Sequence, residues 1–131
     1  MDFFTYYYPE VRQSPGGGWV RLSEITALGN GETAVVERDN QDNTDVRIKR
    51  IYKITANSVA LRPDGGTFDT LGKSLARDLL PNLQARGGMV LEKIESPAVT
   101  ENGDLLFAND NDGVDDSNSE TQLIRLERAL R

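Results

Sequence analysis

Apolar and polar positions alternate along much of this chain with the period of a strand. Residues 46–54 run Val-Arg-Ile-Lys-Arg-Ile-Tyr-Lys-Ile. A period of two predicts a strand with one wet face, with Arg47 and Lys49 on one side and Ile48 and Arg50 on the other. Residues 22–37 carry two apolar runs on either side of Asn30-Gly31. That pair predicts a hairpin, because the tight type I′ turn needs φ > 0 at both central residues. Residues 90–108 follow the same plan around Asn102-Gly103. Residues 3–8 are aromatic and end at Pro9, which reads as a strand, and residues 121–126 read as a closing strand. Residues 74–83 are ambiguous between a strand and one or two helical turns, with Pro81 limiting any helix. Segments 14–18, 39–45, 63–66, 86–88 and 109–120 are rich in Gly, Pro, Asn, Asp or Ser and read as loops or turns. The expected fold class is all-β, with about seven to nine strands and little helix.

The two hairpins nearly repeat one another. Residues 23–40 (SEITALGNGETAVVERDN) and 95–112 (ESPAVTENGDLLFANDND) each place a carboxylate before a short apolar run. Asn-Gly plus an acid follows, then a second apolar run that ends in polar groups. The two Asn-Gly pairs are 72 residues apart. A repeated hairpin unit means a modular β architecture. The expected organisation is one partial β-propeller unit over residues 1–131, made of two antiparallel blades at about 1–70 and 71–131. Propellers close with about 4–8 blades, so two leave open faces and edges that invite association. The expected partner is therefore further copies of the chain, with a trimer of six blades favoured.

Composition narrows the chemistry. The 131 residues carry a net charge of −6 and contain neither Cys nor His. Disulfides, thiolate nucleophiles, a Ser-His-Asp triad and the usual zinc ligands are thereby excluded. The acidic balance argues against nucleic acid, which needs a basic face. No apolar run is long enough to span a membrane as a helix, and the first residues lack the basic start and cleavage site of a signal peptide. What remains is catalysis by carboxylates, Lys, Arg or hydroxyls, or a hard cation held by oxygen.

The strongest chemical signal is Asn-Asp-Asn-Asp-Gly-Val-Asp-Asp at 109–116. Oxygen ligands at alternating positions with a glycine for a sharp turn suit calcium, and Asp110 and Asp112 are the expected ligands. Aligning Gly113 with the glycine of the helix-loop-helix calcium motif puts Ala108 at its first ligand position, so the loop is not that motif. The alternative is a solvated turn held by Asx hydrogen bonds. Glu24, Glu37 and Glu95 flank the repeated hairpins. They are candidates to converge as metal ligands or as general acid and base; the alternative is ion pairing with nearby arginines. Arg38 and Arg47 are candidates to hold phosphate oxygens through bidentate forks, or to bridge to those same acids. Ser23 lacks a base able to activate it as a nucleophile. Trp19 and tyrosines 6–8 read as packing residues rather than a sugar platform.

Several motifs together resemble the esterase-like phytase family: Leu-Ser-Glu-Ile (22–25), Glu-Arg-Asp-Asn (37–40), Arg-x-Lys-Arg-Ile-Tyr (47–52), Glu-Lys-Ile-Glu (92–95) and the acidic run at 109–116. Their order and spacing match from about residue 3 to 126, the C-terminal part of a longer domain. Arg21 and Ser96 stand where the family pattern leads one to expect Gly, and Asn109 where it has Thr. The resemblance implies a β-propeller rich in acids, hydrolysis of phosphoric esters, a small phosphoester substrate, and export from a bacterial cell. On this reading the chain is a metal-assisted, calcium-dependent phosphoric ester hydrolase. The alternatives are a non-catalytic propeller binding module and an inactive fragment of a larger propeller.

Overall fold

The computed structural model describes residues 8–9, 13–29, 31–55, 70–85, 90, 93–109 and 121–130. Seven strands and one helical turn follow in order: β1 (Val20–Gly29), β2 (Glu32–Asp39), β3 (Lys49–Thr55), β4 (Lys73–Asp78), α1 (Leu80–Leu83), β5 (Ile94–Val99), β6 (Leu105–Asn109) and β7 (Leu123–Leu126). Strands β1 to β4 form one antiparallel sheet in chain order, and β5 to β7 form a second. The all-β expectation holds among the described residues, as two sheets and no closed ring. The ambiguous stretch 74–83 divides between β4 and α1, with Pro81 in the first turn of the helix, where its missing N–H costs nothing. Because β4 pairs with β3, the first sheet extends past residue 70 to Asp78. The expected strand at 3–8, the turn at 63–66 and the loop at 86–88 fall wholly or largely outside the described residues.

One core joins the sheets. Ala34, Val36 and Ile51 of the first sheet pack with Ile94, Leu105 and Phe107 of the second, closed by Leu79, Leu83 and Leu130. A smaller cluster of Val35, Ile54 and Leu71, with Tyr8 against it, covers part of the other face of the first sheet. Strand β2 is buried on both faces from Ala34 to Asp39, as expected of an inner strand between two apolar layers.

The hairpins turn differently. The Gly29–Glu32 pair leaves a two-residue connection, the length that suits Asn-Gly. In the second hairpin the Thr100 N–H donates to Asp104 O at 3.0 Å and the Gly103 N–H to Thr100 O at 2.9 Å. This is a three-residue connection with Gly103 at φ 80°, the left-handed position such a turn requires.

A bulge also separates the repeats. Glu24 opposes Val36 and Glu95 opposes Ala108, whereas Thr26 opposes Ala34 and Ala98 opposes Leu106. Strand β5 therefore spends one extra residue between these pairs, and Ser96 within it has φ 53°. Bulges of this kind place a residue, usually Gly, in the left-handed region. Ser96 pays the Cβ penalty of that conformation. Ser96→Gly is expected to raise stability by about 0.5–1 kcal/mol, read as a higher denaturant midpoint. An unchanged or lower midpoint counts against strain at this bulge.

Candidate functional site

The leading strands of the two hairpins, β1 and β5, are each an edge of their sheet, and they lie side by side. The Ser23 hydroxyl donates to Ile94 O at 2.8 Å, and the Thr26 hydroxyl donates to Pro97 O at 2.8 Å. Both strands run the same way, since the donors and acceptors advance together. Ser23 is thus a tether rather than a nucleophile. Glu24 and Glu95 follow the first of these bonds and hold equivalent positions, opposite Val36 and Ala108. Glu24 Oε1 accepts the N–H of Ile25 at 3.0 Å.

Arg38 lies on the Val36 side of β2, one cross-strand row beyond Glu24, paired with Arg21. The guanidinium carbons of Arg21 and Arg38 stand 5.2 and 5.6 Å from the centroid of the Trp19 ring. Trp19 is therefore no core residue. It is partly exposed, and its ring faces attract the two cations. Two arginines of an acidic chain, stacked on one indole toward the open end of the first hairpin, form the described feature most suited to an anionic ester. Strand β6 ends at Asn109 on the same end. Asp110 and Asp112 lie outside the described residues.

Glu37 is not with Glu24. It sits on the opposite face of β2, fully buried, where Oε1 pairs with Lys73. The Lys73 ammonium lies 4.2 Å from the Tyr52 ring centroid and 5.0 Å from that of Tyr8, and Glu37 Oε2 accepts no hydrogen bond. Glu37 is thus separated from Glu24, because strict alternation along β2 sends residues 36 and 37 to different faces. Among the described residues, no group of three or more acids is placed to hold a metal ion. Arg47 also departs from expectation. It precedes β3, is exposed, and one guanidinium nitrogen donates to Thr44 O and Val46 O, both at 2.7 Å.

Two buried aspartates carry structural networks. Asp39 Oδ2 accepts the Ser14 hydroxyl at 2.9 Å and the N–H groups of Arg47 and Ile48 at 2.8 and 3.0 Å. Lys49, fully buried, donates to Asp39 Oδ1, Asp39 O and Gln41 O at 2.8–3.0 Å. Burial alone would raise the Asp39 pKa, but the Arg47 N–H and the Lys49 charge outweigh it and hold the carboxyl below its ordinary range. Asp104 accepts the Arg128 N–H at 3.0 Å and two bonds from the Arg125 guanidinium at 3.0 and 2.6 Å. These bonds, the Arg128 N–H first, lower its pKa too. Lys49 was expected on a wet face, and Asp39 appears in the sequence only as one letter of Glu-Arg-Asp-Asn. No local pattern separates a buried charged pair from a solvated one, and these partners stand ten residues apart.

Fold and site together define an all-β protein of two packed antiparallel sheets, with glutamates at equivalent positions of two neighbouring edge strands and two arginines stacked on Trp19. The chain belongs to the phytase-like family, described as esterase-like activity of phytase, which it matches over residues 2–113. Comparison with curated proteins and with solved structures gives no match. No helix among the described residues is long and apolar enough to cross a membrane.

Proposed function

We propose that the chain is a hydrolase of phosphoric esters acting at the open end of the two hairpins. Family membership supports the reaction class. The observation that carries the location is the placement of Glu24 and Glu95 at equivalent positions of side-by-side edge strands, with Arg21 and Arg38 next to Glu24. Glu24 and Glu95, with Asp110 and Asp112 from the acidic stretch of sequence after β6, are the proposed oxygen ligands for calcium. An all-oxygen donor set in a chain without Cys or His suits that ion. Calcium, when bound, supplies positive charge against the phosphoryl oxygens. The chain's own part is to accept a proton from the attacking water at a glutamate carboxylate and to hold the ester oxygens with the arginine forks. Arg38 suits that role better than Arg47, whose guanidinium already serves its own loop. The propeller-like arrangement and a trimer of chains belong to the same proposal, because further sheets would enclose the open end.

Aryl phosphate mono-, di- and triesters, assayed with calcium and with chelator, test the reading. Glu24→Gln and Glu95→Gln are each expected to lower turnover about 10²–10⁴-fold while circular dichroism stays unchanged. The absence of turnover on every ester under both conditions overturns the proposal.

A further inference from the structure

A row of like charge crosses the first sheet. Arg21 of β1 lies directly opposite Arg38 of β2, and Arg38 lies opposite Lys49 of β3. Like charges directly opposite one another destabilise a strand pair. The chain has 21 acids for 15 bases, so the row does not reflect a shortage of carboxylates. Lys49 is withdrawn from it, since its ammonium goes to Asp39 and to Gln41 O. Arg21 is not withdrawn. It is exposed, and among the described residues its guanidinium has the Val20 carbonyl, at 3.0 Å, and the Trp19 ring as partners, and no carboxylate.

Trp19 holds the two arginines in place. Its ring attracts both guanidiniums, which offsets their mutual repulsion. The residue is itself fixed through its backbone. The Trp19 N–H donates to Asn40 Oδ1 at 3.0 Å, and the Asn40 N–H donates to Trp19 O at 3.2 Å. The preceding Gly18 has φ 77°, and a Cβ there would collide with the Asn40 side chain, so the clamp requires glycine. Groups fixed in this way have little conformational freedom left to lose on binding. Trp19 remains 39% exposed, so a ligand can reach the arginines beside it from solvent.

We infer that Trp19 is a positioning residue, and that it presents Arg21 and Arg38 as a receptor for a phosphoryl oxyanion that fills without calcium. An oxyanion supplies the negative charge the row lacks and accepts charge-assisted hydrogen bonds from the guanidinium forks. Both arginines are permanent cations, so no metal is needed to bring positive charge to the site. The inference deepens the hydrolase reading and rests on it for the choice of phosphate as ligand. Glu24 and Glu95 take no part in the receptor.

Trp19 is the single tryptophan of the chain, so its fluorescence reports on this site alone. Inorganic phosphate, titrated in chelator at an ionic strength held constant with chloride, is expected to change the emission saturably. Arg21→Gln, at an exposed position, is expected to weaken the apparent Kd about tenfold. Calorimetry with the same phosphate extends the test to Trp19. Trp19→Leu, shown to be folded by circular dichroism, is expected to lose affinity about tenfold, whereas Trp19→Phe keeps a ring face and most of the affinity. A tryptophan with a merely structural role gives no such rescue. Phosphate that moves neither the emission nor the calorimetric heat overturns the inference. So does an equal response to chloride, an unchanged Kd in Arg21→Gln, or a Trp19→Phe chain that binds no better than Trp19→Leu. Phosphate bound in a chain that hydrolyses no ester supports the receptor and overturns the hydrolase reading; esters hydrolysed by a chain that binds no phosphate do the reverse.

Discussion

Asp39→Ala is expected to destabilise the fold by about 3–5 kcal/mol, the largest single loss at any charged position described. The reason is what it leaves behind. Lys49 keeps its burial but loses the Asp39 carboxylate at 3.0 Å, and breaking a buried ion pair from one side costs several kcal/mol. The Ser14 hydroxyl and the N–H groups of Arg47 and Ile48 lose their acceptor as well. Those groups tie together the 14–18 loop, the end of β2 and the approach to β3. Lys49→Met with Asp39→Ala, which removes both charges, is expected to recover part of the loss, as replacement of a buried pair by apolar groups often does. Urea denaturation of the three chains measures this; a double variant no better than Asp39→Ala would mean that the backbone bonds, not the ammonium, dominate.

The same carboxylate gives the fold its acid limit. Asp39 and Asp104 both titrate below the ordinary aspartate value of about 3.9 when folded. Depressed values mean that the unfolded chain binds protons first. The stabilisation is complete above the ordinary value and drains away as pH falls through the folded ones. The wild-type midpoint is thus expected to drop below about pH 4, and to drop less steeply in Asp39→Ala, where only the Asp104 share remains.

The hairpins were legible in the sequence because each is bounded by apolar runs and an Asn-Gly pair, signals that act within a few residues. The relation between the hairpins was legible only in part. The constant 72-residue spacing describes the return strands, yet Glu24 and Glu95 match at 71, and the difference is the bulge that holds Ser96. The unexpected Ser at a glycine position was the one local sign of it. The burial of Lys49 and the split of Glu24 from Glu37 were not legible. The first depends on a lysine reaching back past the end of its strand to Asp39, and the second on which face of β2 each layer covers. Alternation predicts that neighbours part, but only the packing of β5 and β6 says which side becomes the seam.

Phe107→Ala is expected to cost about 3–5 kcal/mol, and it tests whether the core or the hydroxyl tethers hold the two sheets together. Phe107 is almost fully buried in the shared core, on the face of β6 that meets Ala34 and Val36. Two of its facing residues are small, so the ring fills space that no neighbour can close without moving a strand, and the cavity term adds to the lost transfer energy. Thr26→Val removes only the hydroxyl that reaches Pro97 O, and is expected to cost about 0.5–1.5 kcal/mol. Against a total stability of about 5–15 kcal/mol for a domain, the first change removes a large share and the second a small one. Denaturant midpoints at unchanged slope separate them. Should Phe107→Ala cost less than Thr26→Val, the sheets would be held by their edge tethers, and Glu24 and Glu95 would owe their neighbourhood to two hydrogen bonds rather than to the core. The expected order instead makes the site a consequence of packing: Phe107 seats the second sheet on the first, and that seating brings the two edge strands, with their equivalent glutamates, side by side.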